Sequence, residues 1–397
     1  MKQKILFMII DMNIGGTEKA LLNMITEMPK DQFEITILML ERRGGFMDFI
    51  PDHVQVEVLD GYMDVKEAWN QPPQQTTISL VRQRKPLKAV EFMLTYVLGR
   101  VTRNKRVFFN WLLKDISGPQ VVYDTAVAYA GPMDLISYFI AYKITAKKKL
   151  QWIHFDVTKI GFNQSFVKKN YPLFDRIYTV SNEGKAKLLQ LMPSFFEKVE
   201  VCTNQLSPEQ IINQAEQANC IADDFSGITI LTVGRLSQEK GQDLAIQALA
   251  KLIEMGHNVR WYCLGEGPFR EGYEALIEEY SLKDRFILLG ARANPYPYMK
   301  ACDMYVQPSR HEGYCITLAE AKVFHKPIVT TNFTGAKEQI IDGKTGIIVE
   351  PDANSIATAI HSLLEEPEKR KRLIRHLREE EVIAAKQQSS NIIGVFR

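Results

Sequence analysis

Cysteine is scarce in this chain of 397 residues. Cys202, Cys220, Cys263, Cys302 and Cys315 are odd in number and scattered, with no Cys-x-x-Cys, which argues against a disulfide framework or a zinc site and suits a reducing cytosol. No Asp-x-Asp pair occurs anywhere. Long apolar runs are missing as well. The N-terminal run Ile5–Ile10 stops at Asp11, too short for a signal h-region or a membrane span, and reads as a buried first strand. The formal net charge is only +2 and no basic cluster carries a nucleic-acid reader motif, so no nucleic-acid partner is expected. The charge is uneven: the first 204 residues carry a basic excess and the remainder an acidic one.

What is present is the composition of a globular chain, 46% hydrophobic and 24% charged. Its length suits two domains. Short β-branched runs alternate with amphipathic stretches. Residues 4–10, 34–40, 54–59, 125–130, 150–155, 177–180 and 199–202 read as strands covered on both faces. The pattern restarts with strands expected over 228–233, 259–264, 286–289, 304–307, 327–331 and 346–349. Helices are expected over 17–28, 242–255, 269–280, 316–324 and 354–365. Two successive βα arrays predict two doubly wound α/β domains, residues 1–204 and 205–397, facing each other across a cleft. The polar segment 205–226 lies between them, with the hinge near its start, and the C-terminal helix is expected to pack back on the first domain.

Three segments carry chemistry. Gly15-Gly16-Thr17-Glu18 follows the first strand and opens a helix, where glycine lets backbone approach a ligand and the helix N-terminus favours an anion. Taken alone, the pair is equally a tight turn. Gly234-Arg235-Leu236-Ser237-Gln238-Glu239-Lys240-Gly241 follows the first strand of the second array. Arg235 and Lys240, five apart in a loop entering a helix, can both point at a diphosphate; a solvated charged loop is the plainer alternative. Glu312-Gly313-Tyr314-Cys315-Ile316-Thr317-Leu318-Ala319-Glu320 places one glutamate before a helix and one about a turn inside it. A carboxylate in the apolar stretch 316–323 needs a partner, such as sugar or ribose hydroxyls, unless it sits on an exposed face.

Together with Trp152-Ile153-His154-Phe155-Asp156, LGEGPFRE and KPIVTTNFTGAKEQIIDGKTGIIV, these segments resemble family 4 of the retaining glycosyltransferases. That family has the GT-B architecture of two Rossmann-like domains. The resemblance is continuous from about 229 to 350, looser over 1–45 and 120–205, and absent over 62–118. It implies a cytoplasmic enzyme that moves a sugar from a nucleotide-diphosphate sugar, a UDP-sugar favoured, to a hydroxyl acceptor. The acceptor implied is a glycan, most often lipid-linked, in envelope or capsule polysaccharide synthesis. No cofactor and no obligatory metal are implied.

By the same resemblance, Gly16 brings its backbone to the donor diphosphate, Gly234 is among the donor-binding residues, and Arg235 and Lys240 hold the phosphates. Glu312 contacts the donor sugar, with Gly313, Tyr314, Cys315, Ile316 and Thr317 around sugar and phosphate. Glu320 takes the ribose, His154 lies near the anomeric centre and Arg292 lies near the base. A histidine at an apolar strand end is otherwise most often a packed core residue. Cys315 departs from the family's usual glycine, and Thr334-Gly335-Ala336 from its usual pair of glycines. The acceptor hydroxyl is expected to attack from the side of the departing phosphate, with the protein supplying position and charge.

Other readings remain beside this one: a nucleotide-sugar epimerase on the same architecture, a nicotinamide-dependent dehydrogenase resting on Gly265-Glu266-Gly267, or a catalytically silent scaffold. Residues 80–114 add one more expectation. Leu87, Val90, Leu94, Val97, Leu98 and Val101 form one helical face among Arg82, Arg84, Lys85, Lys88, Arg100, Arg103, Lys105, Arg106 and Lys114. Phe92, Tyr96, Phe108, Phe109 and Trp111 add aromatic residues of the kind found at interfaces. The segment either lies peripherally on an anionic membrane or packs its apolar face on the first sheet.

Overall fold

The computed structural model describes residues 2–102, 105–217, 225–387 and 392–396. Arg103 and Cys220 lie outside the described residues. The first sheet comprises β1 (Gln3–Ile9), β2 (Phe33–Met39), β3 (Gln55–Val58), β4 (Tyr123–Ala128), β5 (Ala146–Ile153), β6 (Arg176–Thr179) and β7 (Val199–Val201). Its order is β3-β2-β1-β4-β5-β6-β7 and its pairings are parallel. The second comprises β8 (Ile228–Val233), β9 (Val259–Leu264), β10 (Phe286–Gly290), β11 (Met304–Gln307), β12 (Ile328–Thr331) and β13 (Ile347–Val349). It runs β10-β9-β8-β11-β12-β13, again parallel.

The helices of the first half are α1 (Gly16–Glu27), α2 (Tyr62–Asn70), α3 (Pro73–Arg82), α4 (Pro86–Val101), α5 (Lys105–Leu112), α6 (Asp134–Lys143), α7 (Gln164–Asn170) and α8 (Asn182–Leu191). Then come α9 (Pro208–Ala215), α10 (Gln242–Glu254), α11 (Arg270–Glu279), α12 (Tyr296–Ala301), α13 (Ile316–Lys322) and α14 (Ala336–Gln339). The chain ends with α15 (Ala353–Glu365), α16 (Pro367–Gln387) and α17 (Ile392–Phe396).

Each sheet is covered on both faces because its strands are apolar at odd and even positions alike. Leu6 and Met8 of β1 face one core, and Ile5, Phe7 and Ile9 face the other. In β8, Ile230 and Leu231 divide in the same way. The strand order reverses at β1 and at β8, which opens a crevice at the carboxyl end of each. The loops that leave these two ends are Gly15-Gly16 and Gly234–Gly241.

Two segments tie the halves together. In α9, Ile211 and Ala215 are buried in the second half, beside Tyr296 and Met299 of α12. At the other end of the chain, α17 crosses back. Phe396 is buried, with its ring edge-on to Phe7 at 5.7 Å and to Phe33 at 6.3 Å. Lys148 Nζ donates to the Val395 carbonyl at 2.9 Å.

The segment 80–114 is not one amphipathic helix but the end of α3 followed by α4 and α5. Its aromatic residues are not interfacial. Phe92, Phe108 and Phe109 are buried in the first core, with Tyr96 and Trp111 packed on them. Helix α4 is apolar on two faces, and among the described residues only the Phe92 face is packed against the core. Leu87 (80% exposed), Leu94, Leu98 and Val101 (76%) stand on the surface. Among the basic residues, Lys105 pairs with Asp134 at 2.8 Å and Arg106 lies over the Tyr142 ring at 4.6 Å. Both have partners within the fold, although Arg106 stays exposed. No described helix is long and apolar enough to cross a membrane.

Because Phe396 fills a gap between Phe7 and Phe33, Phe396→Ala is expected to lower the stability of the first half by about 3 kcal/mol. Urea unfolding followed by tryptophan fluorescence reads this directly. An unchanged midpoint would mean that α17 is not part of that core.

Candidate active site

The site forms where the ends of β1 and β5 meet the ends of β8 and β11. Its closest approach is at Gly313. A Cβ built there would lie 2.0 Å from the His154 carbonyl oxygen and 2.9 Å from the Phe155 Cα, so no residue but glycine fits. The Gly313 carbonyl accepts from Ser181 Oγ at 3.1 Å. Tyr314 and Ala293, both of the second half, pack on the first-half core around β1 and β5.

A polar cluster extends this junction. Asp156 Oδ2 accepts from Thr334 Oγ1 at 2.7 Å and from Lys187 Nζ at 2.9 Å. Glu338 accepts from the backbone N–H of Asn182 and of Glu183, closing the first turn of α8. Burial raises the Asp156 carboxyl, but the bonds from Thr158, Thr334 and Lys187 outweigh it and bring it to about 2.

The two glycine-containing loops face each other across this junction. Gly15 is the N-cap of α1, and a Cβ built on Gly16 would touch Ile316 Cγ2 at 3.5 Å. Arg235 is exposed on the loop after β8, its charge felt by Glu18 of α1. Lys240 Nζ donates to Glu312 Oε1 at 2.6 Å, and Ser309 Oγ donates to the same oxygen at 2.8 Å. Burial pulls the Lys240 ammonium down, yet the adjacent Glu312 carboxylate prevails and the net shift is upward. Lys240 is therefore a cation at neutral pH. Gly234 packs under its side chain, 3.6 Å from Cδ to a Cβ built there.

Glu320 is buried on α13 and accepts from the Tyr296 hydroxyl at 2.8 Å. Burial raises its carboxyl to about 7, against the pull of Lys19 and Tyr296. Lys19 reaches across from α1 and lies 5.2 Å over the Tyr296 ring; burial lowers it, with Glu320 opposing.

His154 is also buried, and burial takes its ring to about 3, against its hydrogen bond to the Tyr129 backbone. The imidazole is neutral. Its Nε2 is buried with no partner among the described residues, which leaves it as an acceptor for a hydroxyl. Cys315 is the buried N-cap of α13, and the Thr317 hydroxyl is bonded to the Val233 carbonyl at 3.3 Å. Burial lifts the Cys315 thiol to about 12, so it is not a nucleophile.

The fold thus gathers Gly16, Gly234, Arg235, Lys240, Glu312–Thr317, Glu320 and His154 around one crevice. Arg292 is exposed after β10, and among the described residues it makes no hydrogen bond or ion pair to the others. Gly265, which suggested a dinucleotide site, has another reason to be glycine: a Cβ there would lie 1.9 Å from the Gly234 carbonyl.

The sequence assigned no role to Glu18, although it closes the Gly15–Glu18 segment, or to Lys19 beside it. Burial takes the Glu18 carboxyl to about 7, its own backbone N–H and Arg235 opposing. Their positions on the first turn of α1, directly after the glycine pair, were the available signal. Ser181 and Lys187 gave none, because they matter through contacts across the cleft, and Thr334 stood out only as a departure from glycine.

Two Rossmann-like parallel sheets, with a crevice of cations and buried carboxylates between them, define a protein of the GT-B class. Residues 213–380 match the family described as glycosyl transferases group 1. The chain is 32% identical to an N-acetylgalactosaminyltransferase of Campylobacter jejuni whose name gives its acceptor as a diphospho-undecaprenol glycan. That match covers 53% of this chain and 56% of the relative, so the chain spans about half the length of that relative. It is 24% identical, over 87% of both chains, to the putative colanic acid biosynthesis glycosyltransferase WcaL of Salmonella typhimurium. The crystal structure of Anabaena Alr3699/HepE in complex with UDP-glucose has the same fold, at TM-score 0.68 and 20% identity over 99% of this chain and 98% of that one.

The buried carboxyl of Glu320 makes a pH-dependent difference to stability. Its pKa in the fold, about 7, lies above the ordinary 4.5. Below pH 4.5 both folded and unfolded states are protonated and nothing is lost. Between pH 4.5 and 7 the unfolded state ionises first, and stability falls as pH rises. Ligand-free Glu320→Gln should therefore be more stable than wild type at pH 8, by about 1–3 kcal/mol, with the gain shrinking toward pH 4.5. Thermal melts at the two pH values test this, and a less stable variant at pH 8 would reject it.

Proposed function

We propose that the chain is a retaining glycosyltransferase acting on a nucleotide-diphosphate sugar, with a UDP-sugar favoured. The observation that carries this reading is the meeting of α1, the 234–241 loop and the 312–320 segment at one crevice. Arg235 and Lys240 supply the positive charge there and Glu312 and Glu320 the carboxylates. The two cations would hold the diphosphate and stabilise it as it leaves. Lys240 would turn from Glu312 to phosphate, freeing Glu312 for sugar hydroxyls. Glu320, in its anionic form, would take ribose hydroxyls, and the bare His154 Nε2 would accept from a hydroxyl of the donor sugar. The acceptor hydroxyl would attack beside the departing phosphate, which takes its proton, so the donor's anomeric configuration is kept. No metal is required in this scheme, because protein cations neutralise the leaving group. An epimerase or a silent scaffold would not need a second substrate placed in the cleft.

The acceptor proposed is a lipid-linked glycan of envelope polysaccharide synthesis, in keeping with the names of the Campylobacter and Salmonella relatives. The outward stripe of α4, flanked by exposed Arg82, Arg84, Lys85, Lys88 and Arg100, would meet the anionic leaflet that carries such an acceptor.

Arg235→Ala and Lys240→Ala should each lower turnover by roughly 100-fold while leaving the fold intact. Activity should persist in excess chelator, and the product should keep the donor's anomeric configuration. Near-normal kcat in both variants would remove the phosphate assignment, and an inverted product would remove the mechanism. Co-sedimentation with liposomes tests the membrane face. Binding should need anionic lipid, weaken with salt and fall when Arg84, Lys85, Lys88 and Arg100 are changed to Gln. Equal binding to neutral vesicles would overturn that part.

A further inference from the structure

The second half carries a cluster that the proposed reaction does not use. His361 and Glu365 are four residues apart on α15 and so share one face of the helix. His257 sits in the turn between α10 and β9, after Gly256, whose φ is +86°. Its own N–H is fixed to the Leu252 carbonyl at 3.0 Å. The fold brings it onto α15, so that His257 Nε2 and His361 Nδ1 are 2.7 Å apart and His257 Nδ1 is 3.9 Å from Glu365 Oε1. One nitrogen of each imidazole and one carboxylate oxygen all lie within 4.8 Å of one another.

We propose that His257, His361 and Glu365 form a binding site for a zinc-like divalent transition-metal ion, with water as fourth ligand. The ligand set is right for such an ion: two imidazoles and a carboxylate, which zinc takes at about 2.0–2.2 Å in a tetrahedron. Ligand atoms of such a tetrahedron are about 3.3 Å apart. The imidazole pair opens by a few tenths of an ångström to reach this, and Glu365, which is 62% exposed in its side chain, swings inward. The two imidazoles are already held side by side, with ring centroids 5.0 Å apart, so little freedom is lost on binding. Carboxylate and imidazole disfavour magnesium and calcium, which prefer all-oxygen shells.

The site's position says what it does. His257 precedes β9, whereas the crevice lies beyond the carboxyl ends of β8 and β11. The ion would sit at the opposite end of the sheet from the chemistry and would clip α15 to the α10–β9 turn. It is a stabilising site, and it is independent of the proposed transferase reaction.

The test uses the full-length protein stripped with chelator, then titrated with zinc chloride by calorimetry and with cobalt chloride by visible absorption. One ion should bind per chain, cobalt should show the intense bands of tetrahedral coordination, and saturating zinc should raise Tm by roughly 5 °C. His361→Gln, and separately the exposed Glu365→Gln, should each weaken zinc by roughly tenfold or more and clearly reduce the Tm rise at the same zinc concentration. Glu365→Gln guards against a variant that merely unfolds. Absence of binding up to about 100 µM zinc, or equal binding in wild type and both variants, would overturn the site and leave a hydrogen-bonded imidazole pair. Turnover with and without zinc reads the transferase proposal separately, so failure of one is distinguishable from failure of the other.

Discussion

Gly313 lies against the carbonyl of His154 with no room for a side chain. Around that contact, Ser181 bonds the Gly313 carbonyl and Asp156 bonds Thr334. Further out, Glu338 closes the start of α8. The segment 312–320 is therefore fixed to the first half of the chain as well as to the second. Its two carboxylates are placed relative to His154 and α1 by this junction and not by their own sheet alone. A side chain at 313 would push the second half away, and Lys240, Glu312 and Glu320 would move with it.

The crevice stores unfavourable electrostatics. Glu18 and Glu320 are both raised to about 7 by burial, and Lys19 is lowered. Each represents a group that the unfolded chain would solvate better. The four apolar cores of the two sheets offset that cost. A ligand with hydroxyls and phosphates would supply the missing partners, so binding energy and pre-existing polar strain are two sides of one arrangement.

Helix α4 illustrates how one pattern serves two neighbours. Its Phe92 face completes the first core, in contact with Phe108 and Trp111. Its Leu87–Val101 face is exposed, with no counterpart among the described residues. Periodicity alone could not distinguish these faces, since each repeats at three and four residues.

The sequence by itself determined the sheets and their division. Runs such as Ile228–Val233 and Met304–Gln307 appear as strands with the bounds read from their β-branched, two-sided apolar character. That character is local, and it suits parallel strands buried between covered layers. The glycine loops after β1 and β8 were legible for the same reason: turn chemistry is local too. The tertiary structure alone decided the rest. Lys240 pairs with Glu312 across 72 positions, Lys19 approaches Glu320 from the other half, and His257 meets His361 across 104. No periodicity links such residues, because their proximity follows from strand order and from the closing of the cleft. The charge states of Glu18, Glu320 and His154 were hidden likewise, since desolvation depends on what packs around a group and not on its neighbours in the chain.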